Sequence, residues 1–371
     1  MLPADFHLEN RFYYSRLNQS EKNLYVFMVE LLLKRQRKFL YVFNAESYEN
    51  EEKYKGIPSY SFMNNSEFAS VFSVFEAIRW DCPEFYFISM GDLEWGDDFI
   101  VTIGANQCPY TDEEMDEIDK RLYGILHNFD HITDPFELEL EVHDYITRNF
   151  DYEHRFAPYD VESHHGREYE EIFTPVSLIK TGRGVCGGFI RLAQFIFQRR
   201  GLEVVNVLAT AGDVGDKEEH SWLAIKLDGH YYHLDITFNE GSTIDKTCAP
   251  YEYFNVPTDE IIDSHDFTAD AYPEIVCDHT DYCYYNKFGL FFETYEQITS
   301  GVEKHLDSID FKQGETYHFY FKHPRSFELE KTSRAIWRAI TNKKISLVDN
   351  EFSYDDTDGY FVLEYVFNKF I

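Results

Sequence analysis

Three residue types able to do nucleophilic chemistry occur in a fixed order. Cys186 sits in Gly182-Arg183-Gly184-Val185-Cys186-Gly187-Gly188, just ahead of a long apolar segment. His220 follows in His220-Ser221-Trp222, and Asp235 in His233-Leu234-Asp235-Ile236-Thr237. A thiol, an imidazole and a carboxylate together suit amide or ester acyl transfer through a thioester. The thiolate attacks, the imidazole takes and returns a proton, and the carboxylate fixes the ring and its tautomer.

Local elements must bring these groups together. Phe189 to Phe197 is apolar around most of a helix, with Arg191, Gln194 and Gln198 on one narrow polar stripe and Gly201 where a helix would stop. Cys186 falls at the N-terminal end of that buried helix, where the backbone dipole and free N–H groups favour a thiolate and suit a developing oxyanion. The paired glycines after it permit close approach of substrate or of a neighbouring backbone.

Val204 to Thr210, His220 to Leu227 and His230 to Thr237 read as strands, the last two joined by Asp228-Gly229, a strong two-residue turn signal. That turn sets Leu227 opposite His230, so His220, Trp222, Tyr231, His233, Asp235 and Thr237 share one face. Asp235 is then a diagonal neighbour of His220, roughly 7–8 Å away between backbones and within side-chain reach. His233 pairs near Ala224, roughly 13 Å along the strand from His220, too far to orient its ring. The pattern favours a His220–Asp235 pair.

At this point the segment resembles the transglutaminase-like superfamily, relatives of the papain-like cysteine enzymes, in its larger bacterial form. The motifs that carry the likeness are Gly184-Val185-Cys186, His220-Ser221-Trp222 and Leu234-Asp235-Ile236-Thr237, with Tyr253-Phe254-Asn255 beyond them. The likeness covers roughly Phe136 to Asn255. It implies catalytic roles for Cys186, His220 and Asp235, and an upstream side chain helping to hold the oxyanion, for which Tyr152 is the candidate. Lys180 stands six residues before Cys186, where papain-type enzymes have Gln.

The expected fold is α+β: a central transglutaminase-like domain, with the cysteine helix packed on an antiparallel sheet, flanked by two smaller α+β regions. The boundaries read from the sequence are 1–134, 135–276 and 277–371, with Pro135 marking the first. Helices are expected at Glu21–Arg35 behind Ser20, at Glu67–Arg79 behind Ser66, from Thr111 in a capping box with Glu114, at Phe136–Phe150 and at Leu329–Thr341. Glu84–Met90, Asp98–Ile103, Thr316–Lys322 and Tyr360–Phe367 look like strands, and His154–Glu170 like a loop over the site.

The chain has 371 residues and a net charge of −33, from 34 Lys and Arg against 67 Asp and Glu. So acidic a surface repels phosphate backbones and anionic lipid, which argues against nucleic-acid or membrane partners. Apolar residues make up 44%, enough to bury a core rather than remain disordered. The six cysteines form no CxxC pair, and Cys277-His279-Cys283 fits no common zinc spacing. The acidic stretch Asp213–Glu219 reads as a solvated loop rather than a calcium site, and His164-His165 as part of a mobile loop. No cofactor or metal is expected. With no leader-like or membrane-spanning run, the expected location is the cytoplasm.

The leading function is a cysteine peptidase or amidase acting on protein or peptide. The alternatives are a cross-linking transglutaminase, with an amine as acceptor, and a binding or scaffold module that kept the fold without turnover. A glycan–asparagine amidase is weaker, because the paired upstream cysteines such relatives carry are missing.

Overall fold

The computed structural model describes every residue except 1, 44–51, 63–68, 89–91, 97–98, 106–109, 157–166, 214–215, 242–250, 267–274 and 358–359. Ser66, His164, His165, Cys108, Cys248 and most of the expected loop over the site lie outside the described residues. The chain divides into two compact units, Met1–Gly241 with Pro257–Asp278, and Ser242–Val256 with His279–Ile371. Among the described residues no helix is long and apolar enough to cross a membrane.

The first unit holds the candidate chemistry. Its central sheet has four strands within the unit, in the order His230–Leu234, Asp216–Leu227, Val204–Asp213 and His265–Asp266. All are antiparallel to their neighbours. The helix Cys186–Arg199 packs on this sheet. It ends as its sequence predicts: Gly201 takes φ +85°, Leu202 N–H reaches Phe197 O at 2.9 Å, and Gly201 N–H reaches Gln198 O at 3.1 Å. This is the left-handed closure that glycine adopts without strain. A second sheet, ordered Ser59–Phe62, Lys38–Phe43, Ile100–Ala105, Asp92–Trp95, lies in the N-terminal part of the unit.

No domain boundary falls at Pro135, where the sequence suggests one. Pro135 opens the helix Pro135–Asn149, with Asp134 capping Glu137 N–H at 2.9 Å. A proline there lacks only an N–H the helix could not use. The N-terminal residues are instead bound to the cysteine helix through its polar stripe. Arg191 Nη1 donates to Arg79 O at 3.3 Å and Gln194 Nε2 to Trp80 O at 2.7 Å. Arg11 donates to Asp81 O and to Gln198 Oε1. Three successive carbonyls at the end of helix Val71–Asp81, which cannot be satisfied inside that helix, are thus met. Glu84 accepts from both Arg11 and Arg199 at 3.0 Å, all three side chains being buried. The stripe is a buried docking face rather than a solvent-facing one.

Other expectations need adjustment. The helix placed behind Ser20 runs Gln19–Leu32 and is capped by Asn18, in a reciprocal box with Glu21. The one placed behind Ser66 runs Val71–Asp81 from Ser70. The described part of the expected strand Glu84–Met90 is not a strand: Pro83–Ile88 is a buried 3-10 segment, since a short apolar run suits either form and burial decides. Of the acidic stretch Asp213–Glu219, the described residues are not a loop: Asp213 ends the strand Val204–Asp213 and Asp216–Glu219 begin the strand Asp216–Leu227. Thr111 and Glu114 form the expected capping box.

The second unit carries a three-stranded antiparallel sheet in the order Thr316–Lys322, Tyr360–Phe370, Ile345–Thr357. The helices Tyr295–Ser308 and Leu329–Asn342 pack together, and Ile298, Val302, Ile336 and Ala339 share a core with Phe321 and Leu363 of the strands. The described residues are α+β and the sheet under the cysteine helix is antiparallel, as expected, while Lys38–Phe43 and Ser59–Phe62 of the second sheet run parallel.

Candidate active site

The turn fixes the register. Asp228 and Gly229 take φ of 47° and 88°, the paired left-handed values of a two-residue hairpin. Leu227 pairs with His230 and Leu223 with Leu234. The strand then stops at Leu234, short of the expected Thr237, and Ile236–Gly241 is helical. Asp235 causes the change. Its Oδ1 accepts from Thr237 N–H at 2.9 Å and Phe238 N–H at 3.0 Å, the bonds of an N-cap. The predicted His220–Asp235 contact survives this correction: His220 Nε2 lies 2.6 Å from Asp235 Oδ2.

The ring nitrogen left to His220, Nδ1, is the one available to Cys186. Cys186 and His220 lie close enough for each to shift the other's proton affinity, with Ser221 also acting on the thiol. Cys186 is the first residue of its helix, behind Val185, and is partly exposed. Burial opposes its ionisation, but the hydrogen bond and charge of His220, aided by Ser221, hold the thiol below its ordinary pKa. His220 is likewise disfavoured as a cation by burial, yet Asp235 outweighs this and raises it to about 10. Asp235, fully buried, is driven up by desolvation but held well below the usual carboxylate range by His220 and by a second histidine, His265. Both shifts favour a thiolate–imidazolium pair.

The two glycines after Cys186 serve a neighbouring backbone. A Cβ on Gly187 would lie 3.0 Å from Phe173 O, and one on Gly188 would lie 3.0 Å from Ile172 O and 3.2 Å from Thr174 O. The segment 172–174 thus lies against the start of the helix. Tyr152 is beside the thiol because Asp151–Tyr152 pairs in parallel with Arg183–Gly184, Tyr152 opposite Gly184. Burial, reinforced by the nearby charges of Cys186 and Asp235, pushes its phenol up, so it remains an O–H donor. Lys180 is engaged elsewhere, its Nζ 2.8 Å from Glu171 Oε1.

His233 does not touch the triad, as distance along the strand requires. Its Nδ1 accepts from Trp222 Nε1 at 3.1 Å, and its Nε2 lies 3.1 Å from Thr258 Oγ1. Burial, with the charge of His265, lowers it to about 3, so it is a neutral prop for Trp222. Trp222 in turn stacks on His220 with centroids 6.0 Å apart. Cys277 is buried beside Phe12, Val207 and Trp222, and Cys283 donates to Asn255 O at 2.8 Å, which leaves both as packing residues.

His265 is the residue the sequence does not disclose. It comes from the two-residue strand His265–Asp266, paired with Ala211 and Thr210. Its Nε2 lies 3.0 Å from the same Asp235 Oδ2 that His220 uses. An isolated His in a polar stretch carries no periodic signal, and so short a strand none either. Among the described residues, His220, Asp235 and His265 bring ligating atoms within 4.8 Å of one another, close enough for a metal ion. Hydrogen bonding already accounts for the cluster: both oxygens of Asp235 are occupied by donors, and all three residues are buried.

Part of this chain is similar to known proteins. Residues 122–240 match a family described as a transglutaminase-like domain. Over that segment the chain is similar to the transglutaminase-like family. Among solved structures it is similar to a candidate cysteine protease from Cytophaga hutchinsonii, at 18% identity over 33% of this chain and 38% of that one, with a TM-score of 0.25. It is also similar to a TGase, at 13% identity over 54% and 59% with a TM-score of 0.30. Menin, whose structure shows a binding site for the Mixed Lineage Leukemia protein, matches at 15% identity over 52% and 36% with a TM-score of 0.24. The chain spans about 38%, 59% and 36% of these three proteins, and superpositions so partial define neither substrate nor partner. No curated protein matches the sequence.

Proposed function

We propose that this protein is a cysteine-nucleophile amide hydrolase or acyltransferase, acting on protein or peptide through a thioester, with Cys186 as nucleophile, His220 as general acid and base, and Asp235 as orienter. The observation that carries the reading is the 2.6 Å His220–Asp235 contact on a ring that also lowers the pKa of the Cys186 thiol.

The Cys186 thiolate adds to an amide carbonyl carbon, and the C=O electron pair moves onto oxygen. The N–H groups at the start of the helix Cys186–Arg199 and the Tyr152 O–H are the donors suited to that oxyanion. When the C–N bond breaks, His220 Nδ1 gives its proton to the departing amine, leaving an acyl thioester. Water then attacks, its proton returns to His220, and the acid leaves with the thiolate restored. An amine in place of water gives a new amide. Hydrolysis is preferred because, among the described residues, none dictates an amine site. A reducing, cytoplasmic compartment suits a working thiol.

The test is alkylation followed by product analysis. Iodoacetamide at pH 6 should modify Cys186 well ahead of a model thiol, and His220→Ala should abolish the advantage. Equal rates in all three would leave a binding or scaffold module. Mass spectrometry of peptides incubated with and without added amines then separates hydrolysis from cross-linking.

A further inference from the structure

Asp235 Oδ2 lies between two imidazoles, at 2.6 Å from His220 Nε2 and 3.0 Å from His265 Nε2. A carboxylate can only accept, so both Nε2 atoms carry protons. Oδ1 is held by two backbone N–H groups, so the carboxylate cannot turn. His265 Nδ1 lies 2.8 Å from Ser264 Oγ, which is also 3.1 Å from Ile261 O. The serine has one proton. Directed to Nδ1, it makes His265 neutral with its remaining proton on Nε2. Burial, opposed by Asp235, favours that neutral form. The ring is wedged between Trp222, 4.7 Å away and near perpendicular, and Phe238 at 4.9 Å. The titratable and charged groups facing it are Asp235, His220 and Lys217 of the strand Asp216–Leu227, and His233 of the neighbouring strand.

We infer that His265 is a positioning residue for the proposed reaction, donating its Nε2–H to Asp235 Oδ2 so that the carboxylate is fixed against His220 and its charge is divided between two rings. The inference rests on the Cys186–His220–Asp235 reading and deepens it. A His220 that faced an undivided carboxylate would hold its proton more tightly and be a poorer acid toward the leaving amine. Dividing Asp235 between two donors moderates that hold without loosening the geometry. His265 lies beyond residues 122–240, so a chain folded only to the end of that segment would lack the second donor.

The experiment follows the rate of Cys186 alkylation by iodoacetamide against pH in the full chain, for wild type, His265→Leu and His265→Gln. The wild-type profile should rise in two steps, the lower for the thiolate and the upper for loss of the His220 proton. His265→Leu should move the upper step upward by about half a unit or more, because Asp235 then serves His220 alone. His265→Gln, which presents an amide N–H close to the Nε2 position, should leave the step near its wild-type value. Coincident profiles for wild type and His265→Leu would overturn the inference, as would a glutamine variant displaced as far as the leucine one. Should His265→Leu not fold, His265→Met carries the test: it fills a similar volume, cannot donate to Asp235 and should move the upper step upward as leucine does, with no movement counting against the inference. Failure of the underlying reading looks different, since wild-type Cys186 would then show one step at an ordinary thiol value, whatever residue 265 is.

Discussion

His220 donates its Nε2–H to Asp235 over 2.6 Å, and the same ring lowers the pKa of Cys186. A single ring therefore joins a buried carboxylate to a partly exposed thiol, and each end shifts the other's proton affinity.

Asp235→Asn removes the charge that raises His220 to about 10 against the penalty of burial. Without it the imidazolium loses its main support and the thiolate its counter-ion. Alkylation of Cys186 at pH 6 should slow by about tenfold or more, each unit of pKa being a factor of about ten in the ionised fraction. A rate unchanged from wild type would show that Asp235 does not act on the thiol.

The same pair makes stability depend on pH. Asp235 has a lowered folded-state pKa, so its contribution is present above the unfolded value of about 3.9 and lost as pH falls through the folded one. His220 has a raised pKa, so its contribution is complete below about 6.5 and lost as pH rises through about 10. The Tm advantage of wild type over Asp235→Asn should be largest from about pH 4 to 6.5 and shrink toward pH 10. A difference that stays level into the alkaline range would contradict the assignment.

Glu84→Gln leaves Arg11 and Arg199 buried without their shared carboxylate. Stranding buried charge is severe, and the loss in urea denaturation should be about 3–5 kcal/mol. Loss below about 1 kcal/mol would mean that the N-terminal segment is not held to the cysteine helix through this carboxylate.

Gly188→Ala forces a methyl to within 3.0 Å of Ile172 O and 3.2 Å of Thr174 O. Both contacts are backbone, so the segment 172–174 or the helix start must move. We expect a loss of about 1–3 kcal/mol, together with slower Cys186 alkylation. An unchanged Tm would show that the segment yields freely.

Much of the site is legible in the sequence, because each signal is local. Asp228-Gly229 can form one kind of turn between apolar strands, that turn fixes the register, and the register puts Asp235 within reach of His220 and His233 out of reach. The apolar helix behind Cys186 and its stop at Gly201 are equally local, set by 3.6-residue periodicity and by a left-handed closure.

What the sequence could not determine depends on residues far apart in the chain, or on a choice that patterning leaves open. Strand or helix at Asp235 is decided by its carboxylate capping Thr237 and Phe238, a choice alternation alone does not record. The stripe Arg191, Gln194 and Gln198 has the same pattern whether it meets water or the carbonyls of another helix, and only packing brings Arg79, Trp80 and Arg11 to it. His265 reaches Asp235 because a two-residue strand pairs at Thr210 and Ala211, a contact with no periodicity to announce it. The order Cys186, His220, Asp235 is written in the sequence; the second histidine on the carboxylate is decided by the tertiary structure, since hydrogen bonds between distant segments exist only once the sheet has formed.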